Sequence, residues 1–390
     1  MKLMNTNWNY PTSVWFGAGR INDLPLACQK TGIKKPLLVT DKGLVKLDIV
    51  ENTKRILKEA GVDFTVFSDV QGNPTEANVL NGLAHYTKNG HDGVIAFGGG
   101  SAIDAAKAIA FMSGQSLSLW DFEDVGDNWT HADINGIVPI VAIPTTAGTG
   151  SEVGRASVIL DEKSQNKKII FHPKMLPEVV ILDPELTLGL PAHITAWTGV
   201  DAMVHAIEAY IAPGYHPMAE GIAIEAIRII AKYLPVAFTH GSDIEARGQM
   251  LVAASMGATA FQKGLGSVHS IAHQLGAIYN KEHGLLNAIL LPYALKQNKP
   301  AIEEKMAYLS KVLELPTHGT DAIIAYILAL RNKLDIPHTL KEIGINDDEA
   351  ERIGKMAFLD PSTPSNAMPL SADDLEKLFR AALQGDLNTL

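Results

Sequence analysis

The nine residues GVIAFGGGS (residues 93–101) decide the fold prediction, because they join a short apolar run to three glycines and a serine. The residues that follow, 102–110, have the alanine-rich pattern of a helix. A strand that turns through glycines into a helix is the repeating unit of parallel α/β sheets. The segment therefore predicts a buried parallel strand with a crossover helix behind it.

The first half of the chain continues this pattern, and the second half has a different one. Short apolar runs predict further parallel strands at residues 36–40, 64–67, 137–143 and 179–182. Beyond Pro191 the periodicity becomes that of long helices, at residues 192–210, 219–233, 243–261 and 267–277. We predict an α/β domain over residues 1–188 and an all-α domain over residues 189–390.

Composition excludes several classes of partner and location. The 390 residues carry a net charge of -10, which argues against a nucleic-acid partner because such proteins need a clustered cationic face. Cys28 is the only cysteine, so no disulfide forms within the chain. The apolar runs are too short to span a membrane, and residues 1–10 do not have the pattern of an export signal. We expect a cytoplasmic protein with no membrane partner.

The glycine turn has the features of a phosphate site. Gly98, Gly99 and Gly100 let the backbone approach a pyrophosphate closely, and the N–H groups at a helix start attract it. Ser101 is expected to cap that helix. The segment matches neither G-x-G-x-x-G nor the Walker pattern, so a tight strand-to-helix turn remains the alternative interpretation.

Two other strand ends favour dinucleotide binding. Residues 144–152 follow a predicted strand and are rich in small hydroxyl side chains, including Thr145, Thr146 and Thr149. Ligands of open α/β sheets bind at the carboxyl ends of strands. Asp41 follows the first predicted strand, where a carboxylate can bind ribose hydroxyls and favour NAD over NADP. A turn-forming aspartate is the equally weighted alternative.

A set of acidic and imidazole side chains in the helical half has metal-ligand spacing. Asp201 and His205 are four residues apart, as are His269 and His273, and each pair shares one helix face. His283 follows after a short connection. The His-x-x-x-His spacing occurs in metalloproteases, but Ser270 stands where their catalytic glutamate would be. We predict a shared site for a divalent ion such as Fe²⁺ or Zn²⁺.

Taken together, these segments resemble the iron-containing (group III) alcohol dehydrogenases over nearly the whole chain. The resemblance rests on residues 11–19, the glycine turn with Asp104 and Lys107, and residues 144–152, 201–205, 264–273, 283–284, 287–292 and 366–369. It implies a Rossmann-like N-terminal domain and a helical metal-binding C-terminal domain, the fold shared with dehydroquinate synthase. It also implies that nicotinamide meets the ion in a cleft between the domains, and that the protein is a homodimer.

The resemblance implies roles for individual residues. The metal ligands would be Asp201, His205, His269 and His283, while His273 lines the site and is our candidate to relay a proton. The dinucleotide would contact Asp41, Gly99, Gly100, Ser101, Thr145, Thr146, Thr149 and a lysine, for which Lys167 is favoured over Lys168.

The predicted function is metal-dependent, NAD(P)-linked oxidation of an alcohol or reduction of an aldehyde, with Fe²⁺ as the first choice of ion. A lyase or polyol dehydrogenase of the same fold is an alternative, although relatives of that kind generally use one carboxylate and two histidines. A metal hydrolase and a binding protein without catalysis are the others. Arg155 and Lys263 are interpreted as exposed cations, with attraction of a carboxylate or a polyhydroxylated substrate as the alternative. Residues 359–369 are interpreted as an ordered surface loop.

Overall fold

The structure is a computed structural model that describes residues 12–164 and 166–390. These residues divide into two compact units, with the division in the sequence between Gly189 and Leu190. None of the described helices is long and apolar enough to cross a membrane.

The N-terminal unit is built on a parallel sheet of six strands in the order β1-β8-β5-β4-β2-β3. The strands of this sheet are β1 (Ser13–Phe16), β2 (Pro36–Val39), β3 (Thr65–Phe67), β4 (Gly93–Gly98), β5 (Ile140–Pro144) and β8 (Val179–Leu182). The remaining strands, β6 (Ala156–Asp161) and β7 (Asn166–Phe171), form an antiparallel pair. The helices are α1 (Leu24–Thr31), α2 (Asp48–Glu59), α3 (Glu76–Asn89) and α4 (Gly100–Met112).

Both faces of the sheet are covered. Alternate strand residues such as Leu38, Ile95 and Val141 belong to one buried cluster that also contains residues of α1 and α2. Residues of opposite parity, such as Val94 and Ala142, are also fully buried. Strands buried on both faces read as continuous apolar runs, which is why the sequence predicted the central strands correctly. The strand predicted at 137–143 begins later, at Ile140, because residues 137–139 have no regular structure and Pro139 has no N–H group to give to a sheet.

The C-terminal unit is helical. Its helices are α5 (Ala192–Ile211), α6 (Pro217–Thr239), α7 (Ile244–Ala260), α8 (Ser267–Tyr279), α9 (His283–Val312), α10 (Thr320–Lys333), α11 (Ala350–Phe358) and α12 (Ala372–Gln384). Helix α5 is buried along most of its length, from Thr195 to Ile211, and packs against α6, α7 and α9. Side chains on α5 are therefore well placed to meet side chains of other helices in the interior.

A buried arginine supports the long helix α9 where a proline interrupts its hydrogen bonds. Pro292 has no N–H group, so it cannot bond to the carbonyl of Ala288 four residues earlier. Arg331, which is fully buried, donates instead to the carbonyl oxygens of Ala288 and Ile289, at 3.3 and 2.9 Å. The arginine satisfies the freed carbonyl and lets α9 continue past the proline.

Candidate functional sites: a glycine turn and an Asp/His cluster

The glycine turn lies where strand β4 becomes helix α4. Gly98 has a φ of +147°, a conformation that favours glycine, and a Cβ atom there would lie 2.8 Å from the Cβ of Ala102. Gly99 is the N-cap of α4, and no side chain caps it within the described residues. The N–H groups of the first helical turn are therefore available to an anion.

Ser101 does not cap this helix, so the sequence prediction was wrong on that point. It is the second residue of α4, and its hydroxyl donates to the carbonyl oxygen of Gly72 at 2.6 Å. The reason is that Gly99 already occupies the cap position in extended conformation. Ser101 thereby ties the glycine turn to the loop that precedes α3.

The hydroxyl-rich loop after β5 packs directly on the glycine turn. Strands β4 and β5 are neighbours, and the N–H of Thr145 donates to the carbonyl of Gly98 at 2.9 Å. A Cβ atom on Gly100 would lie 2.5 Å from a methyl group of Thr149, and one on Gly99 would lie 3.5 Å from Thr146. The structure thus brings the predicted cofactor residues of these two loops together.

A buried network under the two loops holds them in place. The ammonium group of Lys107, on α4, donates to the carbonyl oxygens of Ser151 and Ala156 and lies 3.3 Å from Asp104. Asp104 accepts hydrogen bonds from the Ser151 hydroxyl and from the N–H of Val158. Burial lowers the pKa of Lys107, and Asp104 opposes that shift. The network joins α4 to the hydroxyl-rich loop, and the spacing of its residues in the sequence does not indicate it.

Asp41 lies beside the glycine turn, and Lys167 lies in the antiparallel pair β6–β7. One carboxylate oxygen of Asp41 accepts the N–H groups of Gly43 and Leu44, at 2.8 and 2.9 Å, so the residue forms a turn. Its other oxygen lies 3.6 Å from the position of a Cβ atom on Gly98, beside the glycine turn. Lys167 lies on β7 opposite Leu160, whereas Lys168 forms ion pairs with Glu123 and Asp161.

In the C-terminal unit, four predicted side chains meet at one point. Asp201 and His205 come from α5, His269 comes from α8, and His283 is the first residue of α9. One ligand atom from each residue lies within 4.8 Å of the other three. The Nε2 atoms of the three histidines lie 3.9, 4.0 and 3.9 Å from Oδ1 of Asp201. The i, i+4 spacing in the sequence brings only Asp201 and His205 together, whereas His269 and His283 reach them through the packing of α9 on α5 and of α8 on α9.

A glycine allows His283 to reach the cluster. A Cβ atom on Gly284 would lie 2.6 Å from the carbonyl oxygen of Trp197 and 3.3 Å from Cβ of Asp201. The start of α9 can approach α5 this closely only without a side chain at position 284. His283 is the most open member of the cluster, with its side chain one quarter exposed.

The donors in this cluster fit a divalent cation. Asp201 is 1% exposed, and among the described residues its ion pairs involve histidines only, so no lysine or arginine balances its charge. The amide nitrogen of Asn287 lies 2.6 Å from Asp201 Oδ1 and 3.2 and 3.0 Å from Nε2 of His269 and His283. Three ligand atoms thus face the side-chain amide of Asn287, whose two N–H groups cannot bond to all three. A carboxylate and three imidazoles without a thiolate suit Fe²⁺ or Zn²⁺.

Glu208 orients one of the histidines from behind. Its carboxylate accepts a hydrogen bond from Nδ1 of His269 at 2.6 Å and another from the N–H of Val268 at 2.8 Å. Burial raises the pKa of Glu208 to about 7, and burial with the nearby His205 lowers the pKa of His269 well below its ordinary value. A neutral His269 with Nδ1–H bound to Glu208 presents the lone pair of Nε2 to the cluster.

His273 lies beside the four residues but has a separate partner. Its ring stacks on that of His283 with centroids 5.5 Å apart, and its Nδ1 lies 2.9 Å from a carboxylate oxygen of Asp360. Asp360 belongs to the segment 359–369, which the sequence indicated as a surface loop. That interpretation was wrong for four of its eleven residues: Asp360, Ser362, Thr363 and Asn366 are buried. Asp360, Thr363 and Asn366 bond to α8, and the N–H of Ser362 bonds to Asp360.

Lys263 is not the exposed cation that the sequence indicated. Its side chain is 2% exposed, and its ammonium group donates to the carbonyl oxygens of Tyr210 and Ala212 and to the carboxylate of Glu220. Three acceptors occupy its three N–H groups, so the ammonium group is fully hydrogen-bonded within the protein. Arg155 is also partly covered, with its guanidinium 5.5 Å from the centre of the Phe171 ring.

Comparisons with known proteins match both halves of the chain to one family. The family model "iron-containing alcohol dehydrogenase" matches residues 11–184, and the model of the C-terminal part of the Fe-containing alcohol dehydrogenase family matches residues 195–383. The NAD-dependent methanol dehydrogenase of Bacillus methanolicus is 36% identical over 97% of this chain and 100% of its own length. The 1,3-propanediol dehydrogenase of Citrobacter freundii is 38% identical over 95% of this chain and 97% of its own.

The solved structures lead to the same class. A crystal structure of a 1,3-propanediol oxidoreductase superimposes with a TM-score of 0.92 and 35% identity, covering 97% of this chain and 100% of that one. The protein is therefore of the alcohol oxidoreductase class, with a parallel-sheet unit followed by a helical unit. The chain belongs to the iron-containing alcohol dehydrogenase family. The fold class and the resemblance inferred from the sequence are both confirmed.

Proposed function

We propose that the chain is a metal-dependent, NAD(P)-linked alcohol dehydrogenase and aldehyde reductase, with NAD as the preferred dinucleotide. The observation that carries this proposal is the buried set of Asp201, His205, His269 and His283, whose ligand atoms lie within 4.8 Å of one another. The names of the relatives support it, since one is an NAD-dependent methanol dehydrogenase and others are 1,3-propanediol dehydrogenases.

The four residues would hold a divalent ion, with Fe²⁺ as the first choice and Zn²⁺ next. When bound, such an ion supplies Lewis acidity that lowers the pKa of a substrate hydroxyl. Asp201 contributes the negative charge, Glu208 keeps His269 in the correct tautomer, and His273 takes up the proton. The Phe261 ring, 5.2 Å from that of His205, gives the site an apolar wall.

The dinucleotide would bind through the glycine turn and the loop packed on it. The free N–H groups at the start of α4 suit the pyrophosphate, and Thr146 and Thr149, which lie against Gly99 and Gly100, would donate to phosphate or ribose together with Thr145. The carboxylate of Asp41 would bind the adenosine ribose, and Lys167 the other ribose. A 2′-phosphate beside Asp41 would be repelled, which favours NAD over NADP.

The preferred substrates would be small neutral primary alcohols and the matching aldehydes. The ammonium group of Lys263 has all three N–H groups engaged, so it would not attract a carboxylate on the substrate. Two relatives are named for the small alcohols methanol and 1,3-propanediol, whereas a third, 36% identical, is a 4-hydroxybutyrate dehydrogenase and is named for a hydroxy acid. Faster turnover of hydroxy acids than of neutral alcohols of equal length would contradict the proposed preference.

Replacing one ligand tests the metal assignment. In His205→Gln the imidazole lone pair is lost from α5, so we expect bound metal to fall and NADH formation to drop by more than about 100-fold. Binding of NAD, measured by calorimetry, should persist because the glycine turn is untouched. The matched control is His240→Gln, at an exposed position at the end of α6. Unchanged metal content and turnover in His205→Gln would refute the ligand assignment.

We also propose a homodimer located in the cytoplasm. Strand β1 lies at an edge of the described sheet, and Val14 and Phe16 on it are 39% and 49% exposed. An exposed apolar edge strand is a ready surface for pairing with a second chain. Light scattering should give the mass of two chains, and a monomer would contradict the proposal.

The single, buried Cys28 supports a reducing compartment, which fractionation of cells would test.

A further inference from the structure

We propose that Asp360 is a positioning residue that fixes the tautomer of His273, so that Nε2 of His273 accepts the proton lost by the substrate alcohol. The inference rests on the proposed dehydrogenase function for its chemical outcome. Its structural part, the orientation of one imidazole by one carboxylate, can be measured without any turnover.

The contact between the two residues determines which ring nitrogen carries the proton. Nδ1 of His273 lies 2.9 Å from Oδ2 of Asp360. An ionised carboxylate can only accept hydrogen bonds, so Nδ1 carries the hydrogen in this pair. In a neutral ring Nε2 then has a free lone pair and can accept a proton. Within the described residues Nε2 makes no hydrogen bond, and His273 is 9% exposed, so this acceptor is still accessible to a small molecule.

Asp360 is itself held in one orientation. Its Oδ1 accepts the N–H of Ser362 at 2.9 Å, and its Oδ2 also accepts the side-chain amide of Gln274 at 3.1 Å. The residue is 5% exposed. A carboxylate bonded on both oxygens and shielded from water cannot rotate away from His273, so the ring is held as well.

The segment that carries Asp360 is fastened to α8 at further points. The Thr363 hydroxyl donates to the hydroxyl of Ser270 at 2.7 Å, and the side-chain oxygen of Asn366 accepts the N–H of Ser267 at 3.1 Å. Residues 360–366 therefore bind along the same helix that presents His269 and His273. This arrangement brings the carboxylate of Asp360, 87 positions away in the sequence, to Nδ1 of His273.

His273 is close enough to the metal-binding set for proton transfer from a substrate held there. Its ring is stacked on that of His283 at an interplanar angle of 13°, and its centroid is 5.9 Å from that of His269. In the oxidation, the alcohol carbon gives a hydride to NAD⁺ and the hydroxyl proton passes to Nε2 of His273. The products are the aldehyde, NADH and an imidazolium, which returns its proton to water. Asp360 stays ionised and supports the imidazolium through Nδ1–H.

The variant Asp360→Asn tests this role with little change in shape. The asparagine oxygen can still accept from Ser362, which turns its NH₂ group, a donor only, toward His273 and toward Gln274, whose side-chain amide can flip to accept from it. Nδ1 must then become the acceptor, which moves the hydrogen to Nε2 and removes the proton-accepting lone pair. We expect kcat for alcohol oxidation to fall by about 100-fold or more, with KM for alcohol and for NAD within about threefold and metal content unchanged.

Nitrogen NMR reads the tautomer directly. In zinc-loaded protein with ¹⁵N-labelled histidine, His273 should show a protonated Nδ1, and Asp360→Asn should shift the hydrogen to Nε2. His273→Gln assigns the signals. The control is Thr363→Val, which removes another bond between the same segment and α8. It should lower thermal stability and leave both the tautomer and kcat near the wild-type values.

Two results would overturn the proposal. One is a wild-type protein in which His273 carries its hydrogen on Nε2. This measurement does not depend on the folding of any variant. The other is a folded Asp360→Asn enzyme that keeps kcat within about threefold of wild type. A wild-type protein that shows the Nδ1–H tautomer but oxidises no alcohol with NAD would refute the dehydrogenase function and leave the positioning by Asp360 standing.

Discussion

Glu208 contributes no ligand atom to the proposed metal site, but it bonds to one of the four residues that would hold the ion. Its bond to Nδ1 of His269 keeps the lone pair of Nε2 directed at the cluster. In Glu208→Gln the amide can donate to the ring in place of accepting from it, so we expect zinc affinity to weaken by about 10- to 100-fold. Competition with a chelator measures the change. Glu225→Gln, at an exposed ion pair on α6, is the control and should leave affinity unaltered. Equal affinity in both variants would contradict the role of Glu208.

Asp41 should decide the choice between NAD and NADP by charge alone. In Asp41→Asn the side-chain oxygen can still accept the N–H groups of Gly43 and Leu44, so the turn survives while the negative charge disappears. We expect the preference of kcat/KM for NAD over NADP to fall by about tenfold, because the repulsion of the 2′-phosphate is lost. Steady-state kinetics with both dinucleotides measures it. An unchanged preference would mean that Asp41 is only a turn residue.

Sequence spacing indicated some residues of the metal site and missed others for a physical reason. Asp201 and His205 share a helix face, so their i, i+4 spacing is a local signal. Glu208, Asn287 and Asp360 meet their partners across 61, 86 and 87 positions, and no periodicity connects such pairs. Glu208 lies within a helix that reads as apolar, and Asp360 lies in a segment with the composition of a loop. The tertiary structure was needed to give them roles.

At the scale of elements, the packing of α4 on the loop after β5 is a close fit. The methyl group added in Gly100→Ala would begin 2.5 Å from Thr149, so the loop or the helix start must shift. We expect KM for NAD to rise about tenfold, equivalent to about 1.4 kcal/mol and within the usual range for overpacking. Metal content should stay constant because the cluster lies in the other unit.

Gly221→Ala provides the matched control for that change. A Cβ atom at this position on α6 meets nothing within 4 Å, so the same methyl group is added without a clash. Its KM for NAD should equal that of the wild type. If Gly100→Ala behaves like Gly221→Ala, the glycine turn does not take part in dinucleotide binding.

Elements buried on all sides were the easiest to predict, and elements with mixed exposure were the hardest. Strands β2, β4, β5 and β8 are buried at every residue and read as apolar runs. Strand β7 is the sequence NKKIIF, only one residue of which is buried, so neither a run nor an alternation marks it. Strand β1 alternates between partly buried and exposed residues, over four residues only. Such short patterns carry too little information to be recognised.

At the scale of the whole molecule, the order of the two units agrees with a division of labour that we propose for them. The N-terminal unit contains the glycine turn, and the C-terminal unit contains the Asp/His cluster. Neither unit contains both features, so each unit alone would bind its own ligand without catalysis. The sequence predicted the α/β-then-α order, because each half has its own periodicity.

The most direct test of the account is to remove the metal and restore it. The purified protein is treated with a chelator, divided, and supplied with Fe²⁺, Zn²⁺, Mn²⁺ or Ni²⁺, and NADH formation is followed over a panel of primary alcohols. We predict no turnover in the stripped protein and recovery with at least one ion, highest with Fe²⁺ and NAD. Alcohol oxidation that is equally fast in the stripped protein, or absent with every ion and both dinucleotides, would contradict a metal-dependent dehydrogenase.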